Sequence, residues 1–284
     1  MRGVHGKGGG AALLALPNIV YLVAMLIAPL VYLMSLSVTR YSPDRLLTNE
    51  FTLENFRIIF DASYATLFAR TFRIAFLCTL ITAVMSYPVA YALARAAPRW
   101  KMIGMFFIVA PLMISAVVRT YGWLIILSRG GLLNQMLAEL HLPRVNLLYS
   151  ETAVLFGLVQ ISIPIMVLPI MASIETIPRA LEEASINLGA TWFGVFRKVL
   201  LPLSVPGLLS GSILTFAIST SAFVTPSLLG APSGRMIGQQ IYEKVLVTFN
   251  LPEAAAITTV LIALMALLGV VAVRFSRFVH PERD

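Results

Sequence analysis

Between Glu151 and Glu175 the chain carries no charged residue. About 20 apolar residues in a helix, at 1.5 Å each, cross a hydrocarbon core of roughly 30 Å, so residues 152–174 are expected to span a membrane. Residues 13–38, inside the charge-free interval from Lys7 to Arg40, meet the same condition. Comparable spans are expected at about 72–94, 102–127, 206–229 and 254–273. The first is too long for a signal-peptide core and lacks an evident cleavage site, so it is expected to be retained. With 58 % hydrophobic and 12 % charged residues among 284, a soluble globular domain is excluded. The expected fold is all-α, a single transmembrane domain of six helices over residues 1–284.

Charge placement orients the spans. Arg95, Arg99 and Lys101 crowd one short loop without an acid, which marks it as cytoplasmic. The segments on that side then hold eleven basic residues against five acids, and the other side ten against eight. Both termini are therefore expected in the cytoplasm. Between the first two spans, Leu53, Phe56 and Phe60 recur at helical spacing and suggest a short helix in the membrane interface.

The net charge of +8 fits this topology better than nucleic-acid binding, because the basic residues form no aromatic-interleaved patch. His5, His141 and His280 lie far apart without ligand-spaced neighbours, so no metal site is expected. Cys78 is the single cysteine and excludes an internal disulfide. Gly6-Lys7-Gly8 lacks the spacing and the preceding strand of a phosphate loop, so neither ATP binding nor any other cofactor is expected of this chain, nor is it expected to be an enzyme.

The long segment Ile177–Pro206 is neither a span nor a simple turn. Leu181, Ala184 and Leu188 recur at helical spacing after Pro178, with Glu182, Glu183 and Asn187 elsewhere around the turn, and Gly189 suits a helix stop. Thr191 can cap a second short helix carrying Phe193, Phe196 and Leu200, and Pro202 and Pro206 close the unit. Two amphipathic helices joined at a glycine make a docking element. Glu183-Ala184-Ser185, three residues, Gly189, nine residues, then Val199-Leu200-Leu201-Pro202 resembles the EAA loop of ABC importer permeases, with Ser185 for the second alanine and Val199 for isoleucine. Further likeness lies in Thr52-Leu53-Glu54-Asn55-Phe56, in Tyr87-Pro88 with Tyr91-Ala92-Leu93-Ala94-Arg95, and in Val118-Arg119-Thr120-Tyr121-Gly122-Trp123, which is similar to spermidine/putrescine-type permeases.

The resemblance implies the type I importer permease fold and a permease subunit of an ATP-driven, binding-protein-dependent importer. It implies a cytoplasmic ABC ATPase dimer, a second permease subunit, homologous or identical, and an external solute-binding protein as partners, all in membrane lipid. Residues 175–205 become the cytoplasmic coupling loop, with Glu182, Glu183, Ala184, Ser185, Gly189, Leu201 and Pro202 as its coupling residues. Polyamines are the implied solute; related permeases serve opines, amino-acid derivatives or iron.

Candidates for the translocation path are Arg119, Tyr121, Trp123 and Gln160. Arg119, the one charge well inside an apolar stretch, either lines the outer mouth or snorkels to the outer interface beside the belt aromatics Tyr121 and Trp123. Gln160, with Pro164 and Pro169, either marks a cavity-lining segment or a kinked structural one. Gly207, Gly211, Thr215 and Ser219 recur every four residues and suit close helix packing. An ion-coupled secondary transporter would need intramembrane acids or histidines, and a membrane enzyme a cluster of catalytic groups; neither pattern is present.

Overall fold

The computed structural model describes residues 8–42, 50–230 and 234–279. The described residues are almost entirely helical. The chain divides into two compact units: residues up to Asp61 with Glu243–Ala263, and Ala62–Tyr242 with the remainder of the last helix.

The first unit contains α1 (Gly8–Ser37), α2 (Glu54–Ile59), the end of α11 (Ile237–Leu246) and the first part of α12 (Leu251–Val279). In α1 almost nothing of the window Val20–Ser37 is buried, as befits a helix whose apolar side chains face lipid or another chain. After it the chain makes an isolated antiparallel bridge between Thr39 and Phe51. The apolar stripe expected of α2 points outward: Leu53 and Phe60 are exposed, while Asn55 and Ile59 are buried. Asn55 Nδ2 donates to the carbonyls of Ser37 and Thr39, each at 2.9 Å, so a polar residue anchors the helix. Glu253, buried in the first turn of α12, accepts from Lys244 Nζ at 2.7 Å and Asn250 Nδ2 at 2.8 Å.

The second unit is built on three helices, α3 (Ala62–Arg95), α7 (Glu151–Glu175) and α10 (Leu201–Ser221). More than half of α7 is buried, 56 % of its span window, which makes it the central helix and explains why it is apolar all round. Ser150 caps it, its Oγ accepting from Ala153 N–H at 3.2 Å. One cluster of Ile74, Cys78, Val154, Leu158 and Leu229 fills one end of the bundle; another of Tyr87, Ala90, Met166, Ile170 and Ile174 fills the other. Gly207, Gly211, Thr215 and Ser219 are all buried. A Cβ on Gly211 would lie 2.7 Å from Met166 Sδ, and one on Gly207 would meet the Pro169 carbonyl and Ser173. The four-residue stripe therefore lets α10 approach α7 closely.

Two expected spans are corrected. The segment expected to cross straight through residues 102–127 is broken: α4 (Pro98–Val109) passes into a 3₁₀ turn, Ala110–Met113, and α5 (Ala116–Leu127) begins after extended backbone at Ile114 and Ser115. The two pieces are bent by 96°. Proline at 111 lacks the N–H that would continue the α-helical ladder. The fifth span, expected at 206–229, instead runs Trp192–Ser221 as one continuous helix, comprising α9 (Trp192–Val195), a π-helical turn (Phe196–Leu200) and α10. Proline inside a helix frees the carbonyl four residues before it, and a π turn shifts the bonding register at the same place. Pro202 thus sits inside a span that already begins within the docking element. With α6 (Leu132–Glu139) and α8 (Arg179–Asn187) completing the element order, five described helices are long and apolar enough to cross a bilayer, six if the bent pair counts as one span.

Candidate functional site

The docking element starts at Pro178, whose φ of −60° and ψ of 131° place it just before α8. The helix ends as the sequence reading expects of Gly189: its φ is +86°, in the left-handed region that glycine enters at little cost. Gly189 N–H donates to Ile186 O at 2.9 Å and Ala190 N–H to Ser185 O at 3.0 Å, which is the Schellman pairing that satisfies a helix's last carbonyls. Thr191 then caps α9 by accepting from Gly194 N–H at 3.2 Å.

The helix α8 presents the opposite face from the one its apolar pattern suggests. Leu181 and Leu188 are exposed, as are Glu183 and Ala184, while Glu182 is buried. Glu182 Oε1 accepts from Arg95 Nε at 2.8 Å and lies 2.5 Å from Arg95 Nη2; Oε2 accepts from Tyr91 Oη at 2.8 Å. Ser185 Oγ donates to Leu181 O at 2.8 Å within α8. Leu201 and Pro202 begin α10, half-buried, with Leu201 against the Tyr87 cluster. The motif residues therefore divide: Glu183, Ala184 and Gly189 lie on the exposed surface, Leu201 and Pro202 on the bundle, and Glu182 is turned inward.

Aromatic side chains seat α9 and the π turn on α3. Tyr91 meets Trp192 edge-on at 5.4 Å and Tyr87 meets Phe196 at 5.1 Å between ring centroids, within the range where edge-to-face pairs are favourable. Tyr87 Oη and Ser204 Oγ lie 2.7 Å apart, both buried. Ile177, Val195 and Leu200 close a small core beneath. In the first turn of α4, Lys101 Nζ pairs with Glu175 at the end of α7 at 2.7 Å. Tyr91, Arg95 and Tyr87 escaped the sequence reading as members of this site, because residues about 90 positions apart show no common periodicity.

Of the path candidates, the structure joins Trp123 to Gln160: indole Nε1 donates to Oε1 at 3.0 Å, and the ring stacks on Phe156. Arg119 stands apart from them in its bonding. Its Nη1 donates to Pro111 O at 2.9 Å, bridging the break between the 3₁₀ turn and α5, so its position is not that of a straight helix counted from Met102. Tyr121 is half exposed. Among the described residues no group of His, Cys, Asp and Glu is placed to hold a metal ion.

The chain is similar to known transport proteins over most of its length. It is 30% identical over 81% of its length to the spermidine/putrescine transport system permease protein PotB of Haemophilus influenzae, covering 82% of that protein. It is 35% identical over 78% of its length to the inner membrane ABC transporter permease protein YdcU of Escherichia coli, covering 74% of it. In fold it matches a bacterial ABC transporter involved in the import of the acidic polysaccharide alginate, with a TM-score of 0.78 over 95% of this chain and 96% of that one, at 19% identity. The model of the binding-protein-dependent transport system inner membrane component family matches residues 11–284. The chain belongs to that family, and is the multi-pass inner-membrane permease component of a binding-protein-dependent ABC importer.

Proposed function

We propose that this permease carries polyamines inward, and that the exposed surface of α8 and Gly189 receives a cytoplasmic ABC ATPase. The observation that carries the docking reading is the geometry of the motif: a short helix closed by a left-handed glycine, with Glu183, Ala184 and Leu188 facing outward. The element follows directly on the end of α7, where Glu175 pairs with Lys101 of α4, and the positive charge of Arg95, Arg99 and Lys101 supports a cytoplasmic placement with both termini on the same side. A second permease, homologous or identical, completes the path, and an external binding protein delivers the solute.

The polyamine reading is supported by the spermidine/putrescine permease named among the relatives. Within the spans, Phe156 is exposed and its ring stacks on Trp123; its outer face is the aromatic surface we assign to a cationic amine, and selection is assigned to the binding protein. The test is uptake of labelled spermidine and putrescine by the assembled importer in proteoliposomes, with ATP inside and a loaded binding protein outside. ATP-dependent accumulation supports the reading. Stimulated hydrolysis with another solute, and none with polyamines, overturns the substrate while leaving the docking assignment intact.

A further inference from the structure

The last turn of α3 and the turn that follows α7 are strapped together by two arginines running in opposite directions. Arg95 Nη2 donates to Ile177 O at 3.0 Å, and Arg179 Nη2 donates back to Arg95 O at 2.8 Å. The second bond satisfies a carbonyl that the end of a helix leaves without an intrahelical partner. Between the straps both carboxylate oxygens of Glu182 are engaged by Arg95 and Tyr91, and the residue is only 7% exposed. The other end of α8 is held differently: Leu188 is 89% exposed, and a Cβ on Gly189 would have nothing within 4 Å. A helix fixed to a neighbour by a buried ion pair at its first turn, and exposed to solvent at its last, transmits force at the fixed end.

That neighbour runs unbroken through the second unit. Far along α3 from Arg95, the hydroxyl of Thr71, fully buried, accepts from the backbone N–H of Ile237 at 2.9 Å, at the start of α11. At 1.5 Å per residue, about 36 Å of helix separates the two attachments, more than the thickness of a hydrocarbon core.

We propose that Glu182, Arg95 and Tyr91 form a latch through which α8 and α3 move as one body, so that α3 carries the signal between the docking helix and the segment around Ile237 on the opposite side of the membrane. The proposal rests on the docking reading above. Glu182 is then a positioning residue inside the permease and makes no contact with the ATPase, in contrast to its neighbour Glu183. A body that moves as one carries displacement in either direction, so the latch also conveys docking of the external binding protein inward to the ATPase.

The experiment measures ATP hydrolysis by the complete importer in proteoliposomes, with and without loaded binding protein, for wild type, Glu182→Gln, Arg95→Met, and the double exchange Glu182→Arg with Arg95→Glu. The expected result is that the single variants still copurify with the ATPase, while stimulation by the binding protein falls about fivefold or more. The double exchange recovers part of it, which a general loss of folding does not permit. Stimulation equal to wild type in both single variants overturns the latch. So does loss of the ATPase from the purified single variants, which would make Glu182 part of the docking surface. If the wild-type complex itself retains no ATPase, the docking reading has failed and takes the latch with it.

Discussion

Trp123 and Gln160 bind each other across α5 and α7, indole N–H to amide oxygen at 3.0 Å, while Phe156 lies against the same indole with ring centroids 6.1 Å apart. Either substitution strands a partner. Trp123→Phe keeps an aromatic ring in the stack but leaves the Gln160 amide oxygen without its donor, and Gln160→Leu leaves a half-buried indole N–H without its acceptor; the penalty for an unsatisfied group is about 1–3 kcal/mol. Thermal unfolding in lipid nanodiscs is expected to place both variants below wild type; melting temperatures equal to wild type in both would show that the bond contributes nothing.

The contact of α10 with α7 depends on the absence of side chains. A Cβ at Gly207 would press on Pro169 and Ser173, and one at Gly211 on Met166. At Gly207 the closest obstacle is the Pro169 carbonyl, which no rotamer change relieves, whereas at Gly211 it is Met166 Sδ on a flexible side chain, with backbone farther off at 3.3 Å. Gly207→Ala is expected to cost about 1–3 kcal/mol, the range for overpacked cores, and Gly211→Ala less, because Met166 Sδ is mobile. Gly269, where an added Cβ meets nothing, provides the control: Gly269→Ala should leave the melting temperature unchanged or raise it.

How much of this was legible in the sequence follows from what each signal measures. Charge-free length located α1, α3, α7 and α12, because spanning depends on apolar length alone. Glycine at 189 and threonine at 191 declared a helix stop and a cap, since those roles need only local chemistry. What stayed hidden is tertiary. Apolar spacing in α8 placed Leu181 and Leu188 on one stripe without saying which face packs on the bundle, and the buried residue is Glu182, whose arginine lies on another helix. Leucines on a surface meant for a partner look the same in sequence as leucines in a core. Proline alone does not declare a break: Pro111 belongs to a real one, while Pro88, Pro164, Pro169, Pro202 and Pro206 all lie inside continuous helices.

Arg119 offers a test at the break. Its guanidinium reaches back to Pro111 O at 2.9 Å across Ile114 and Ser115, and a hydrogen bond from a charged donor contributes about 1.5–3 kcal/mol. Arg119→Met removes it, and Arg119→Lys keeps the charge on a single ammonium without the planar fork. Hydrogen exchange of the backbone around residues 114–116 is expected to quicken in Arg119→Met and to be intermediate in Arg119→Lys. Unchanged exchange in both variants would assign Arg119 to the solute or the lipid interface instead of the bend.

Gly189 separates conformational strain from crowding. With φ at +86° and nothing within 4 Å of an added Cβ, any substitution is penalised only through the backbone. A residue other than glycine in the left-handed region costs roughly 1–2 kcal/mol, with asparagine the least affected and β-branched residues the most. The ordering expected for uptake per ATP hydrolysed is therefore wild type, then Gly189→Asn, Gly189→Ala and Gly189→Val. Membrane insertion should be the same for all four, because the site lies outside the spans and touches no core. Measured in proteoliposomes with the complete importer, a graded loss in that order ties coupling to the left-handed turn that orients the exposed end of α8. Equal coupling in Gly189→Val and wild type would mean that the Schellman turn can be lost without disturbing the docked helix, and the coupling role assigned to Gly189 would have to be given up.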